Sequence, residues 1–182
     1  NESWARQAVA QLRDGNASAA LKTHAELGLL NIEADKNATH EKLLSQWKAY
    51  QQQHPNKKSL ILAQRWSEIQ EISQQVRAYH QERGAVKSEN IKVSCVVGEK
   101  EFVQEFSTGE RIRFCKNDYK RNFTNGTLGT IIHIEQYPED ISLTIKLDDG
   151  RVVNFNKSDY SDKKGHMHIV QAYAMTVYSS QG

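Results

Sequence analysis

Ser59-Leu-Ile-Leu-Ala-Gln-Arg-Trp-Ser-Glu-Ile-Gln70 passes from a short apolar run straight into a helical pattern. Ser59 to Ala63 reads as a buried strand, because a strand enclosed by helices has no polar face to alternate with an apolar one. Ser67 and Gln70 have the spacing of a capping box. Ile69, Ile72, Val76 and Tyr79 then recur on one face of a helix predicted from Glu68 to Arg83, which Gly84 stops. Strand followed by capped helix predicts an α/β unit.

Toward the N-terminus, Trp4, Ala5, Ala8, Val9 and Leu12 recur at helical spacing, Gly15-Asn16 interrupts them, and Ala19, Ala20 and Leu27 continue the pattern to a glycine cap at Gly28. Leu29 to Ile32 is apolar enough for a short strand. A third helix is predicted from Asp35 to Gln53, with Leu43, Leu44, Trp47 and Tyr50 on one face and His54-Pro55 ending it. Beyond Ala85 the character changes to short alternating runs: Ile91–Val97, Glu101–Phe106, Arg111–Phe114, Gly129–Glu135, Ser142–Leu147 and Arg151–Phe155. Asp149-Gly150 between two of them is read as a type I′ hairpin turn. Several short strands with turns between them suggest a small SH3-like barrel.

The chain has 182 residues, 38% apolar and 25% charged, which suits a folded chain with one sizeable core or two small ones. A formal net charge of +2 does not by itself indicate a nucleic-acid partner, so any such partner must be held by locally clustered cations. Cys95 and Cys115 lack metal-ligand spacing and are expected to be buried free thiols. No apolar run reaches about 18 residues and no basic leader precedes one, so a membrane span is not expected and a cytoplasmic location is.

The last stretch, Ala172-Tyr-Ala-Met-Thr-Val-Tyr-Ser-Ser-Gln-Gly182, ends an apolar run in hydroxyls and an amide. It resembles the Thr-Val-His-Lys-Ser-Gln-Gly motif of RecD-like and TraI/TraA-like helicases, with Tyr178 where His is usual and Ser179 where Lys is usual. Gly109-Glu-Arg-Ile-Arg-Phe-Cys-Lys-Asn-Asp118, Asn125-Gly-Thr-Leu-Gly-Thr130 and Leu147-Asp-Asp-Gly150 add a second resemblance, in which Glu110 replaces the usual Asp. In this order they are similar to the C-terminal helicase region of a TraA/TraI-like conjugative relaxase of superfamily 1. The resemblance implies an α/β plus small β-barrel fold: a partial RecA-like domain over 1–87, an inserted SH3-like barrel over 88–170, and a return strand over 171–182. That strand is expected to pair with Leu60–Ala63. A Gly-x-x-x-x-Gly-Lys-Ser/Thr loop is absent from the sequence, so the chain is expected to be an excerpt that does not hydrolyse ATP alone. ATP and Mg2+ belong, on this reading, to the full-length protein. The partners implied are single-stranded DNA, a first RecA-like domain, an N-terminal relaxase domain and conjugation proteins.

Thr176, Ser179, Ser180 and Gln181 are the sharpest DNA-contacting candidates, since hydroxyl, amide and backbone donors at a strand end can converge on a phosphate without reading a base. The bland alternative is an ordinary polar turn. Arg65, directly after the Leu60–Ala63 strand, is by resemblance a contact to a nucleotide phosphate, and its guanidinium suits oxygen acceptors. Otherwise it is a solvated arginine at a helix entrance. Arg111, Arg113, Lys116, Lys120 and Arg121, interleaved with Phe114, Tyr119 and Phe123, form a cationic and aromatic cluster that as a group can meet a single strand, while any one cation alone reads as part of a solvated barrel face. Alternation puts Arg111 and Arg113 on one face, opposite Ile112 and Phe114. Gly126 and Gly129 are read as structural, Asp148-Asp149 as a hairpin turn, and His166 and His168 as loop residues, so no metal site is expected. Trp4, Trp47 and Trp66 supply apolar area, with Trp66 placed to cover a domain junction. A stand-alone nucleic-acid-binding module and a protein-interaction domain of a DNA-transfer complex are the rival functions.

Overall fold

The computed structural model describes residues 3–55 and 57–177. The chain divides into two compact units, 1–48 and 49–182. In the first, α1 (Ser3–Arg13) packs on α2 (Ala17–Glu26), with Ala8 and Ala20 buried and Trp4 edge-on to His24 at 5.6 Å. Asn16 caps α2 by accepting the Ala19 N–H at 3.2 Å, and Asp35 does the same for Ala38 at 2.9 Å, opening α3 (Lys36–Gln53). The division falls inside α3. Leu29–Ile32 forms no strand. Among the described residues it has no neighbouring strand to complete its backbone hydrogen bonds, and Ile32 is 85% exposed.

The second unit joins a small α/β layer to a larger antiparallel one. β1 (Ile61–Ala63) pairs in parallel with β9 (Ala174–Thr176), Ile61 opposite Ala174 and Ala63 opposite Thr176. The expected pairing of these two distant stretches is therefore present. Because the pair is covered on one side only, Ile61 is buried while Leu62 remains 48% exposed. The covering element is α4 (Trp66–Glu82), whose buried stripe is Ile69, Ile72, Val76 and Tyr79, as periodicity predicts. Its cap lies two residues earlier than Ser67, at Arg65. The Arg65 backbone N–H donates to the Glu68 carboxylate at 3.1 Å, and arginine, which has no acceptor, cannot return the bond.

Between α4 and β9 lie seven strands, close to the six predicted runs plus β8. β2 (Ile91–Val97) and β3 (Lys100–Phe106) form a hairpin. β4 (Arg111–Phe114), β5 (Leu128–Gln136), β6 (Ile141–Leu147), β7 (Val152–Asn156) and β8 (Ile169–Gln171) form a five-stranded antiparallel sheet in the order β7-β6-β5-β4-β8. The expected SH3-like barrel is thus corrected to an open sheet faced by a hairpin, alongside an α/β layer of RecA-like type. Closure would need the edge strands β7 and β8 to pair, and among the described residues they do not. Instead β2 meets the chain ahead of β8 through two backbone bonds, Val96 N–H to Met167 at 2.9 Å and Met167 N–H to Ser94 at 2.8 Å. The apolar faces of hairpin and sheet close over one core, which includes Val93, Cys95, Phe106, Ile112, Phe114, Ile145, Phe155 and Met167. Cys95 and Cys115 are free, as expected, and Cys115 is half-buried.

The β6–β7 turn is also corrected. Gly150 alone takes positive φ, +92°, and its N–H reaches Leu147 O at 3.0 Å. That is a type I turn closed by a left-handed glycine rather than type I′, which needs positive φ at both central residues. Among the described residues no helix is long and apolar enough to cross a membrane.

Candidate nucleic-acid interface

Parallel strands leave a crevice at their carboxyl ends, and β1 and β9 end together at Ala63 and Thr176. At that end a cavity of about 200 Å³ is lined by Trp66 from the start of α4, Lys100 from β3, Arg113 from β4, and Met175 and Thr176 from β9. The Trp66 ring lies 5.1 Å from Phe102, and the Lys100 ammonium stands 5.4 Å from the Trp66 ring centroid. Two cations, a hydroxyl and an indole thus surround one opening. This set can accept an anionic oxygen beside an aromatic ring, the two features a single-stranded nucleotide presents.

Strand alternation places Arg113 as predicted, with Ile112 and Phe114 pointing to the opposite, core side. What alternation does not show is the cover: Arg113 is buried, 8% exposed, and meets the cavity rather than open solvent. Arg111 shares its face but is engaged elsewhere. Its guanidinium forms a two-pronged bond to Asp148 at 2.6 and 2.9 Å, and Lys58 reaches the same carboxylate at 2.8 Å. The hydrogen bond from Arg111, helped by Lys58, holds the Asp148 carboxyl far below the usual carboxylate range. Arg65 is exposed at the N-cap of α4, two residues past β1, and is not among the residues lining the cavity.

The cationic loop over 115–127 is tied down by its own polar contacts. Arg121 pairs with Asp118 at 2.5 Å and Asp159 at 3.3 Å, and lies over the Phe155 ring. Tyr160 holds the Lys116 backbone, accepting its N–H at 3.2 Å and donating to its carbonyl at 2.6 Å. Phe114 and Phe123 stack in the core with centroids 4.1 Å apart, so Tyr119, 83% exposed, is the loop's available ring. Lys116 and Lys120 are exposed on the same loop. Ser179, Ser180 and Gln181 lie outside the described residues. Sequence reasoning passed over Lys100, whose place beside Trp66 follows from a fold-back that no local pattern encodes.

A strand-end crevice lined by cations, a hydroxyl and an indole defines the site of this α/β unit, and the chain has relatives among known proteins. No family model matches the chain. It is 30% identical over 103 residues, 52% of its length and 22% of the relative's, to the ATP-dependent DNA helicase Pif1 of Bdellovibrio bacteriovorus. Bacteroides Pif1 bound to ssDNA shares the fold over 100% of this chain and 41% of that one, at TM-score 0.60 and 16% identity. Bacteroides Pif1 with ADP-AlF3 and ssDNA matches 99% of this chain and 41% of its own, at TM-score 0.60 and 15% identity. The chain therefore spans less than half the length of each of these proteins.

These relatives correct the resemblance to a TraA/TraI-like conjugative relaxase, and with it the expectations of plasmid transfer and relaxase chemistry. The residues behind that resemblance are hydroxyls, an amide and cations suited to a phosphate backbone. Such chemistry does not distinguish a transfer relaxase from another strand-tracking motor.

Proposed function

We propose that this chain belongs to an ATP-driven DNA helicase of the Pif1 type and forms part of its grip on single-stranded DNA. The observation that carries the reading is the convergence of Thr176, Arg113, Lys100 and Trp66 on one cavity at the shared carboxyl end of β1 and β9. In this reading Thr176, Lys100 and Arg113 hold the sugar-phosphate chain, and Trp66 presents a ring to a base. Ser179, Ser180 and Gln181 would extend the grip beyond Thr176. Lys116, Lys120 and Tyr119 offer a second contact on the exposed loop, with Arg121 and Arg111 ordering the surface through their carboxylate partners. Toward ATP and Mg2+ the chain offers Arg65, an exposed guanidinium suited to a terminal phosphate. The lysine and hydroxyl of a phosphate loop are not among its sequence motifs, so cradling of the ATP phosphates and of their Mg2+ falls to the rest of the motor. ATP supplies the closure between motor domains to which this grip is coupled.

Fluorescence anisotropy with a labelled oligothymidylate tests the grip. Binding is expected to weaken with salt, and Lys100→Ala should flatten the slope of log K against log salt by about 0.7, the share of one single-strand phosphate contact. Thr176→Val should weaken binding while leaving that slope alone. Equal affinity and slope in both variants, with unchanged thermal stability, would remove the cavity from the proposal.

A further inference from the structure

Away from that cavity, three potential metal ligands converge from two parts of the chain. Glu101 stands near the start of β3; Asp162 and His166 flank a tight turn ahead of β8. One donor atom from each lies within 4.8 Å of the others. His166 Nδ1 is 3.1 Å from Asp162 Oδ2 and 3.9 Å from Glu101 Oε1. Donors that share one ion at about 2.0–2.2 Å stand roughly 3.0–3.6 Å apart, so the Asp162–His166 pair already has ligand spacing, while Glu101 must close on His166 by a few tenths of an ångström and on Asp162, within 4.8 Å, along with it. Glu101 can supply that movement, because its side chain is exposed.

The turn is built to hold its share of the site. Asp162 Oδ1 accepts two backbone N–H groups, from Lys164 at 2.8 Å and His166 at 2.9 Å, which leaves Oδ2 directed at the imidazole. A positive group already sits against the third donor: Lys164 Nζ is 2.6 Å from Glu101 Oε1. The arrangement satisfies a cation at this point and would release the ammonium to a stronger one.

We propose that Glu101, Asp162 and His166 form a divalent transition-metal site that fastens the β2–β3 hairpin to the turn before β8. One imidazole nitrogen and two carboxylate oxygens suit Zn2+ or Mn2+ better than Mg2+, which favours an all-oxygen shell. Binding at Nδ1 uses the imidazole tautomer that carries its hydrogen on Nε2, and frees Lys164 to solvent. Three protein ligands leave the remaining positions to water.

Isothermal titration of the whole chain with ZnCl2, and separately with MgCl2, in a phosphate-free buffer at pH 7.5 tests the site. One Zn2+ per chain is expected, bound more tightly than Mg2+. His166→Ala should weaken Zn2+ binding by about tenfold or more, a loss at least as large as that of a supporting group. Lys164→Ala should tighten it, since no ammonium then competes. All of these side chains reach the surface, so an unchanged melting temperature without metal certifies the variants. Zn2+ binding that is unaltered by His166→Ala combined with Glu101→Gln would place the ion elsewhere and overturn the proposal. So would equal affinity for Mg2+ and Zn2+, or no Zn2+ binding up to about 1 mM.

Discussion

At the residue scale, Gly109 shows how a sequence signal can be visible while its cause is not. Its φ is +94°, and a Cβ there would stand 2.0 Å from the Ala85 carbonyl oxygen. The same residue donates its N–H to Ile131 O at 2.7 Å, so the backbone cannot withdraw without losing that bond. Gly109→Ala should therefore destabilise the chain by about 2–4 kcal/mol, combining left-handed strain with overpacking. Gly126→Ala is the control: φ is +92° but nothing lies within 4 Å, so only the conformational cost of about 1 kcal/mol applies. Chemical denaturation of both variants checks the difference, and equal losses would show that the contact with Ala85 carries no weight. Gly109 was recognisable as part of a motif, yet the neighbour that demands it comes from the segment after α4. Arg113 is a parallel case. Its face followed from alternation along β4, whereas the cavity it shares with Trp66 and Met175, far away in sequence, did not.

At the scale of elements, α4 carries a histidine whose titration reports on its packing. His80 stacks on Tyr173, centroids 5.5 Å apart, and burial followed by repulsion from Arg83 pulls its pKa below the usual 6.5. Folding thus favours the neutral ring. The unfolded chain binds the extra proton first, so this contribution is complete above about pH 6.5 and is lost as pH falls through the lower folded value. His168 shifts in the same direction through burial and Lys116. Glu110 acts oppositely, since burial raises its carboxyl pKa and its contribution declines as pH rises. Comparison of the wild-type chain with His80→Gln separates these effects: between pH 7.5 and 5.5 the melting temperature of the variant should fall less than that of the wild type. Parallel curves would mean that His80 is not desolvated against Tyr173. The strand positions at this scale were readable, because period-two patterning and Gly-containing turns are local. Barrel closure was not, because it rests on whether β7 and β8 meet, and neither sequence carries information about its partner.

At the scale of the molecule, the α/β layer and the sheet are joined by one buried polar knot. Arg77 of α4 donates Nε–H to Glu110 at 2.8 Å and Nη2–H to Asn90 at 2.6 Å and Ser107 at 2.7 Å, while the Tyr173 hydroxyl donates to Glu110 at 2.6 Å. Asn90 lies where the chain leaves for β2, Ser107 and Glu110 lie between β3 and β4, and Tyr173 lies where it returns to β9. Both crossings between the layers are thus tied to the Arg77 guanidinium and the buried Glu110 carboxylate, with Glu105 3.7 Å from the same guanidinium. Glu110, fully buried, was legible only as the residue occupying an Asp position, and its partner 33 residues away was not legible at all. Arg77→Met strands the Glu110 carboxylate in the interior and should cost about 3–5 kcal/mol, whereas Glu110→Leu leaves Arg77 with Glu105 at 3.7 Å and should cost less. The double variant Arg77→Met/Glu110→Leu should recover much of that loss, because no charge is left unpaired. The tie also predicts a change in cooperativity. Residues 49–177 should unfold in one transition in the wild-type chain, whereas Arg77→Met should let the α4–β1–β9 layer open before the sheet. Hydrogen exchange resolved to α4 and β6 measures this: earlier exchange in α4, with β6 still protected, is the expected result. Simultaneous loss of protection in both elements of the variant would show that apolar packing, rather than the knot, holds the layers together.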